Sequence, residues 1–320
     1  MPTSTRPSAM TKEEAAKGET AVGNWIGAPA DGTAAVDTAR SEASWRHVVR
    51  RLARNRLAMV GLAIILTFVA LAVLAPWIAP HDPLRSSFAK RLQPPSSEHW
   101  LGTDELGRDM LSRLLHGARI SLRIGLISVA IGIAVGVPLG AVSAYYGGWV
   151  DLIVQRVIDV MLAFPGILLA IVLVSTLGVG LENVMIAVGV VSIPVYTRLV
   201  RGSALAVKRK EFVEAARAAG ARDVVIIARH ILPNCIAPVI VQSTLQIGSA
   251  ILWAAGLGFL GLGAQPPTPE WGTILSRGRQ YLLVAPHITT ATGLSIMLVV
   301  LGFNLLGDGL RDALDPRMRE

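Results

Sequence analysis

The chain has 320 residues, of which 52% are hydrophobic and 16% charged, well below the roughly one quarter charged of an ordinary soluble domain, which argues for a chain folded in lipid. Its 31 glycines and 18 prolines point the same way, since both are more frequent in transmembrane than in soluble helices. A net charge of +8 reads here as basic cytoplasmic loops, setting nucleic acid aside, and the single cysteine, Cys235, excludes a disulfide framework.

Residues 1 to 44, rich in Ala, Gly, Thr, Ser and Pro without apolar periodicity, read as a disordered cytoplasmic tail, and 45–320 as one all-α transmembrane domain. A spanning helix needs about 20 apolar residues, because a core of about 30 Å is crossed at about 1.5 Å per residue. The first run, Leu57 to Ile78, follows the basic cluster Arg46, Arg50, Arg51, Arg54 and Arg56 and is too long for a cleavable signal. After it, the stretch Arg85 to Arg123 contains LGTDELGRD, in which Thr103 or Asp104 reads as the N-cap of an external amphipathic helix. Its acidic residues read as capping groups and partners of Arg108 and Arg113, rather than as catalytic carboxylates.

The second span, about Ile120 to Tyr145, carries Gly132, Gly136 and Gly140 at intervals of four, a small-residue face suited to close helix packing. The third, about Leu152 to Leu177, contains Arg156 and Asp159, whose i,i+3 spacing suits a structural ion pair more than a proton relay. The fourth span is about Val184 to Val200. The fifth, Ile236 to Leu260, runs into Gly256-Leu-Gly258-Phe-Leu-Gly261, a dinucleotide fingerprint in letters alone, because it ends a membrane span and does not stand where a strand turns into a helix in a βαβ unit. The sixth is about Ile288 to Leu306. Basic residues concentrate in the stretch 40–56, the short loop near Arg156, the long loop 197–230 and the C-terminal tail, which predicts both ends inside, together with the loop of about 201–234.

The loop segment KRKEFVEAARAAGARDVVIIARHILPN, Lys208 to Asn234, is Ala-rich and helix-forming before Gly220 and helical again until Pro233, so it predicts two short helices hinged at a glycine. Glu214, Ala215 and Ala216 offer one charge beside two small side chains, which suits close approach of a partner. No phosphate-cradling G-x-x-x-x-G-K-[ST] occurs, so any ATP must be bound by another chain. The six histidines are scattered, and no metal site is expected. On these grounds alone a transporter subunit driven by a separate ATPase, an ATPase-independent secondary transporter or channel, and a membrane scaffold all stay open.

At this loop the sequence resembles the integral-membrane permease subunits of ATP-binding-cassette importers, whose signature is E-A-A, three residues, Gly, nine residues, then I-x-L-P. Glu214, Ala215, Ala216, Gly220, Leu232 and Pro233 match, while His230 stands in place of the isoleucine. LGTDELGRDMLSRLLHGARISL, YYGGWVD, DVMLAFPGILLAI and LGFNLLGDGLRDALDPR narrow the likeness to the dipeptide/oligopeptide permease C subunit, from about Arg46 to Arg317. The resemblance implies a six-helix, N-in/C-in permease of the type I importer fold in the bacterial cytoplasmic membrane. It implies a second homologous permease, two ATPase subunits holding ATP and Mg, and an extracytoplasmic peptide-binding protein as partners. It further implies no cofactor or catalysis on this chain, ATPase coupling through the matched loop residues, and a peptide cargo, with nickel or another small solute carried by the same branch.

Overall fold

A computed structural model of the chain describes residues 48–314; the expected tail, 1–44, lies outside the described residues. The described part is helical, without a named strand. Helix α1, Arg56–Ile78, starts where the Asn55 side chain accepts the Ala58 N–H. It packs on the last helix, α9 (Pro286–Leu314), through glycines: a Cβ added at Gly61 would stand 2.7 Å from the Gly302 carbonyl oxygen.

Helix α2, Met110–Tyr146, is one continuous helix of 37 residues. The expected external amphipathic helix is thus the first turns of the second span, and its N-cap is Asp109, not Thr103 or Asp104. Asp109 Oδ2 accepts the Ser112 N–H at 2.8 Å and the Ser112 hydroxyl at 2.7 Å. Asp104 instead closes the preceding turn, accepting the Leu106 and Arg108 N–H groups and pairing with Arg108 at 2.6 Å and Arg113 at 3.3 Å. Gly107, at φ +72°, brings the backbone so close to Ser87 that a Cβ would overlap its carbonyl oxygen.

The expected third span is broken. Helices α3, Gly148–Ala163, and α4, Gly166–Leu177, meet at 94°. Proline disfavours the helical conformation at the residue before it, and Phe164, ahead of Pro165, is extended at ψ 137°. Gly166 then has no Cβ where one would collide with the Trp253 ring. Helix α5, Leu181–Lys208, is followed by α6, Glu211–Ala218, and by α7, Asp223–Phe259.

The expected helix end at Pro233 does not occur. A proline inside an α-helix clashes with the carbonyl four residues back, but here Ile226–Ile231 form a π turn in which Leu232 N–H bonds the Ile227 carbonyl, five residues back. The wider turn carries the chain through the proline. The loop is therefore one free short helix, α6, and the first turns of a long one.

Beyond α7, Pro266-Pro267 leads to the short helix α8, Trp271–Gly278. Its N-cap is Glu270, 2% exposed, which accepts the Gly272 and Thr273 N–H groups at 2.7 and 2.8 Å. Burial pushes the Glu270 carboxyl above its ordinary range against those bonds. Trp271, fully buried, donates its indole N–H to the Leu114 carbonyl and meets Phe68 edge-on, so α8 is fastened to the start of α2.

Among the described residues, five helices are long and apolar enough to cross a membrane, six if the bent pair counts as one span. One core joins α1, α2, α7, α8 and α9, a second joins α2, α4, α5 and α7, and a third gathers the ends of α2 and α5 around the 211–235 segment. Along α3 and α4 only Ile158, Ala170 and Val174 are buried, while Trp149, Ile153, Val160 and Val172 face outward.

Candidate coupling surface

Helix α6 has eight residues, too few to hold itself in water. Val213, 1% exposed, seats it by entering the third core with Ala141, Tyr145, Val207 and Ile231, and Ala216, one turn on along the same face, is half-buried against that core. Glu214 and Ala215 are exposed. Gly220 closes the helix at φ +78°, its N–H bonding the Arg217 carbonyl at 3.0 Å. Nothing lies within 4 Å of a Cβ added there, so the backbone conformation, not space, calls for glycine. Leu232 is half-buried and Pro233 exposed.

Tyr145, at the end of α2, links the pieces. Its hydroxyl donates to Asp223 Oδ1 at 2.6 Å, in the first turn of α7, where a carboxylate also favours the helix N-terminus. The Arg217 guanidinium of α6 stands 5.6 Å from the ring centroid and the Lys208 ammonium 5.7 Å. Lys208 also donates to the Tyr145 carbonyl at 2.6 Å, satisfying the C-terminal end of α2. One aromatic side chain thus touches α5, α6 and α7.

The small face of α2 lies against α5. A Cβ at Gly132 would come within 2.9 Å of Ser192 Cβ, at Gly136 within 2.7 Å of the Ile193 carbonyl oxygen, and at Gly140 within 2.5 Å of the Thr197 carbonyl oxygen. At Gly136 and Gly140 backbone thus lies against backbone, while at Gly132 the α2 backbone lies against the Ser192 and Tyr196 side chains.

Asp159 does not pair with Arg156. Its carboxylate is taken at 2.7 Å by Arg198 of α5, with both side chains about half exposed, and Arg156 is exposed. A guanidinium from the neighbouring helix reaches the carboxylate that the intrahelical spacing had suggested for Arg156. A second pair had no signal in the sequence, since its members are fifty positions apart. Arg201 grips Asp151 with both arms, at 2.6 and 2.5 Å, and Ser143 of α2 donates to the same carboxylate. This bidentate form is the stronger kind, and it ties α3 to α5 just above the coupling surface. Gln246 donates to Ser192 at 3.1 Å, a hydrogen bond between α7 and α5, and Asn304 borders an apolar groove between α7 and α9.

The chain matches the family model described as binding-protein-dependent transport system inner membrane component over residues 136–320, and that of the N-terminal TM domain of oligopeptide transport permease C over 44–95. It is 50% identical to a dipeptide transport system permease protein of Alkalihalophilus pseudofirmus over 275 residues, covering 86% of this chain and 90% of that one. It is 49% identical to a glutathione transport system permease protein of Escherichia coli over 276 residues, covering 86% and 91%. Among solved structures, inward-facing forms of the MetNI methionine ABC transporter superpose with a TM-score of 0.53 at 20% identity, over 64% of this chain and 98% of that one, which is a likeness of fold.

Proposed function

The chain belongs to the family of binding-protein-dependent transport system inner membrane components, a multi-pass permease subunit of an ATP-binding-cassette importer of the inner membrane and not itself an enzyme; on that premise we propose that it forms half of a peptide translocation path. ATPase and substrate-binding subunits are general partners of this family. The specific assembly proposed is one second homologous permease, two ATPases carrying ATP and Mg, and an extracytoplasmic peptide-binding protein. Family membership decides against the ATPase-independent reading.

One observation supports the coupling role most: α6 keeps Glu214 and Ala215 in the open while Val213 and the Tyr145 contacts hold it to α2, α5 and α7. A helix so held can receive a push and pass it on as a unit. In this reading ATPase closure moves α6 as a rigid body and shifts the subunit between its two facing states, each of which the nucleotide must favour differently. Six spans, the bent pair serving as the third, then put both termini and α6 on the cytoplasmic side, with α8 and residues 79–109 outside. The relatives' names favour short peptides as cargo over nickel or another small solute.

The test is purification of the chain in mild detergent from its host through a C-terminal tag, followed by mass spectrometry and reconstitution into liposomes. Recovery of a second permease and cassette ATPases, with uptake of labelled dipeptide that excess unlabelled dipeptide suppresses, is expected. Recovery of a stable chain alone, or uptake indifferent to dipeptide, overturns the proposal.

A further inference from the structure

Between α1 and α2 the chain gathers nitrogen and oxygen ligands that the sequence scatters. His81, Glu98 and His99 each offer one ligand atom, and the three atoms lie within 4.8 Å of one another. They border a half-open cavity of about 310 Å³ that Lys90 and Asp109 also line. His99 is 5% exposed, and its Nδ1 stands 2.9 Å from Asp109 Oδ1. Because Asp109 also accepts both Ser112 donors, its carboxylate is an acceptor, so Nδ1 carries the ring proton and Nε2 is left as a lone pair. That Nε2 is buried and has no hydrogen-bond partner, and neither has the buried Nδ1 of His81, whose ring lies 4.7 Å from that of His99.

We propose that His81, His99 and Glu98 bind a divalent transition-metal ion of the zinc class, with Asp109 orienting His99. The donor set carries the choice of ion: two imidazoles and one carboxylate suit zinc and its neighbours, whereas calcium and magnesium take oxygen ligands. A carboxylate behind a histidine, fixing its tautomer and aiming the free nitrogen, is the arrangement that supports metal-bound histidines. The orphaned nitrogens gain a partner when the ion enters. Glu98 at present pairs with the Lys90 ammonium, so one cation already occupies its carboxylate and the metal must displace it. Three protein ligands leave the fourth position of a tetrahedral ion open. The Asp109 carboxylate that orients His99 also caps α2, so an ion there is tied through one side chain to a helix of 37 residues.

The experiment uses the full chain, purified with a tag free of histidine, stripped with chelator and dialysed against zinc chloride, with bound zinc measured by elemental mass spectrometry and affinity by competition with a chromogenic chelator. His81→Gln and Glu98→Gln are chosen because both side chains reach the surface, and size-exclusion elution identical to wild type checks that each folds. About one equivalent of zinc per chain is expected, with affinity lowered about tenfold or more in either variant and raised in Lys90→Met. Zinc at the background level in the wild type, or wild-type affinity in His81→Gln, overturns the proposal. The readout is metal content, so it is independent of cargo and of uptake.

Discussion

Removing one hydroxyl tests whether the coupling surface works as a unit. Tyr145→Phe keeps the ring, and with it the neighbouring Arg217, Lys208 and Tyr146 contacts, while deleting the 2.6 Å bond to Asp223. A hydrogen bond to a charged group contributes about 1.5–3 kcal/mol net. Tyr145 is 5% exposed but Asp223 is open to water, which can replace the lost donor, so the low end, about 1.5 kcal/mol, applies here. That is close to a tenfold shift in the equilibrium between α7 held to α2 and α7 released. Uptake and ATP hydrolysis measured together in liposomes should show fewer peptides imported per ATP. Asp223→Ala, which removes the acceptor, should resemble it, and the double variant should lose no more than about the worse single one, as expected for partners in one interaction. Strictly additive losses, or an unchanged ratio of uptake to hydrolysis in Tyr145→Phe, would refute the idea that this bond transmits the motion.

Gly220→Trp should abolish most uptake while leaving membrane insertion intact, because a bulky residue resists φ +78°; Gly220→Asn, which tolerates that conformation, should retain most of it. Gly140→Val must push α2 from α5 against the Thr197 carbonyl, an overpacking cost of about 1–3 kcal/mol, read as a lower apparent Tm in detergent; Gly293→Ala, with open space around its Cβ, should not lower it. Ser96→Cys should react with an impermeant thiol reagent in intact cells, over little background from Cys235, which is 1% exposed; reaction only after lysis would reverse the orientation. Burial raises Glu270 above its ordinary 4.5, so its contribution to stability is complete below 4.5 and is lost as the pH climbs through the raised folded value. Thermal unfolding followed from pH 4.5 upward should show that decline in the wild type and a flatter profile in Glu270→Gln.

The membrane-spanning segments were legible because apolar length is a strong, local signal, and the α2 face was legible because a four-residue interval is fixed by helix geometry. What escaped depended on partners distant in sequence. Asp159 had a plausible local partner in Arg156, and only the packing of α3 on α5 gave it Arg198. The Asp151–Arg201 clasp had no local cue at all. Pro233 looked like a helix end, since the compensating π turn depends on hydrogen bonding that residue types do not announce. Helix α8 was missed because it starts on Glu270, outside the usual Ser, Thr, Asp or Asn caps, and only burial of Trp271 makes eight residues worth ordering. Among the described residues the scattered histidines concealed a close pair, His81 and His99, which meet beside Asp109.

Helix α2 spans 37 residues, about 55 Å at 1.5 Å per residue, against a hydrocarbon layer of about 30 Å. Some 25 Å of it, about two hydrocarbon half-thicknesses less a turn, therefore stands clear of lipid. One end is pinned by Asp109 and fastened to Trp271, the other by Tyr145 and Lys208, and between them the glycine face fixes α2 to α5. Such a rod has a fulcrum, at Gly132 to Gly140, nearer its Tyr145 end. On the coupling role and orientation proposed above, a small tilt at Tyr145 would swing the Asp109 end in the opposite sense, so the two surfaces of the membrane would not change shape independently, and the message between them would travel as rotation of one beam.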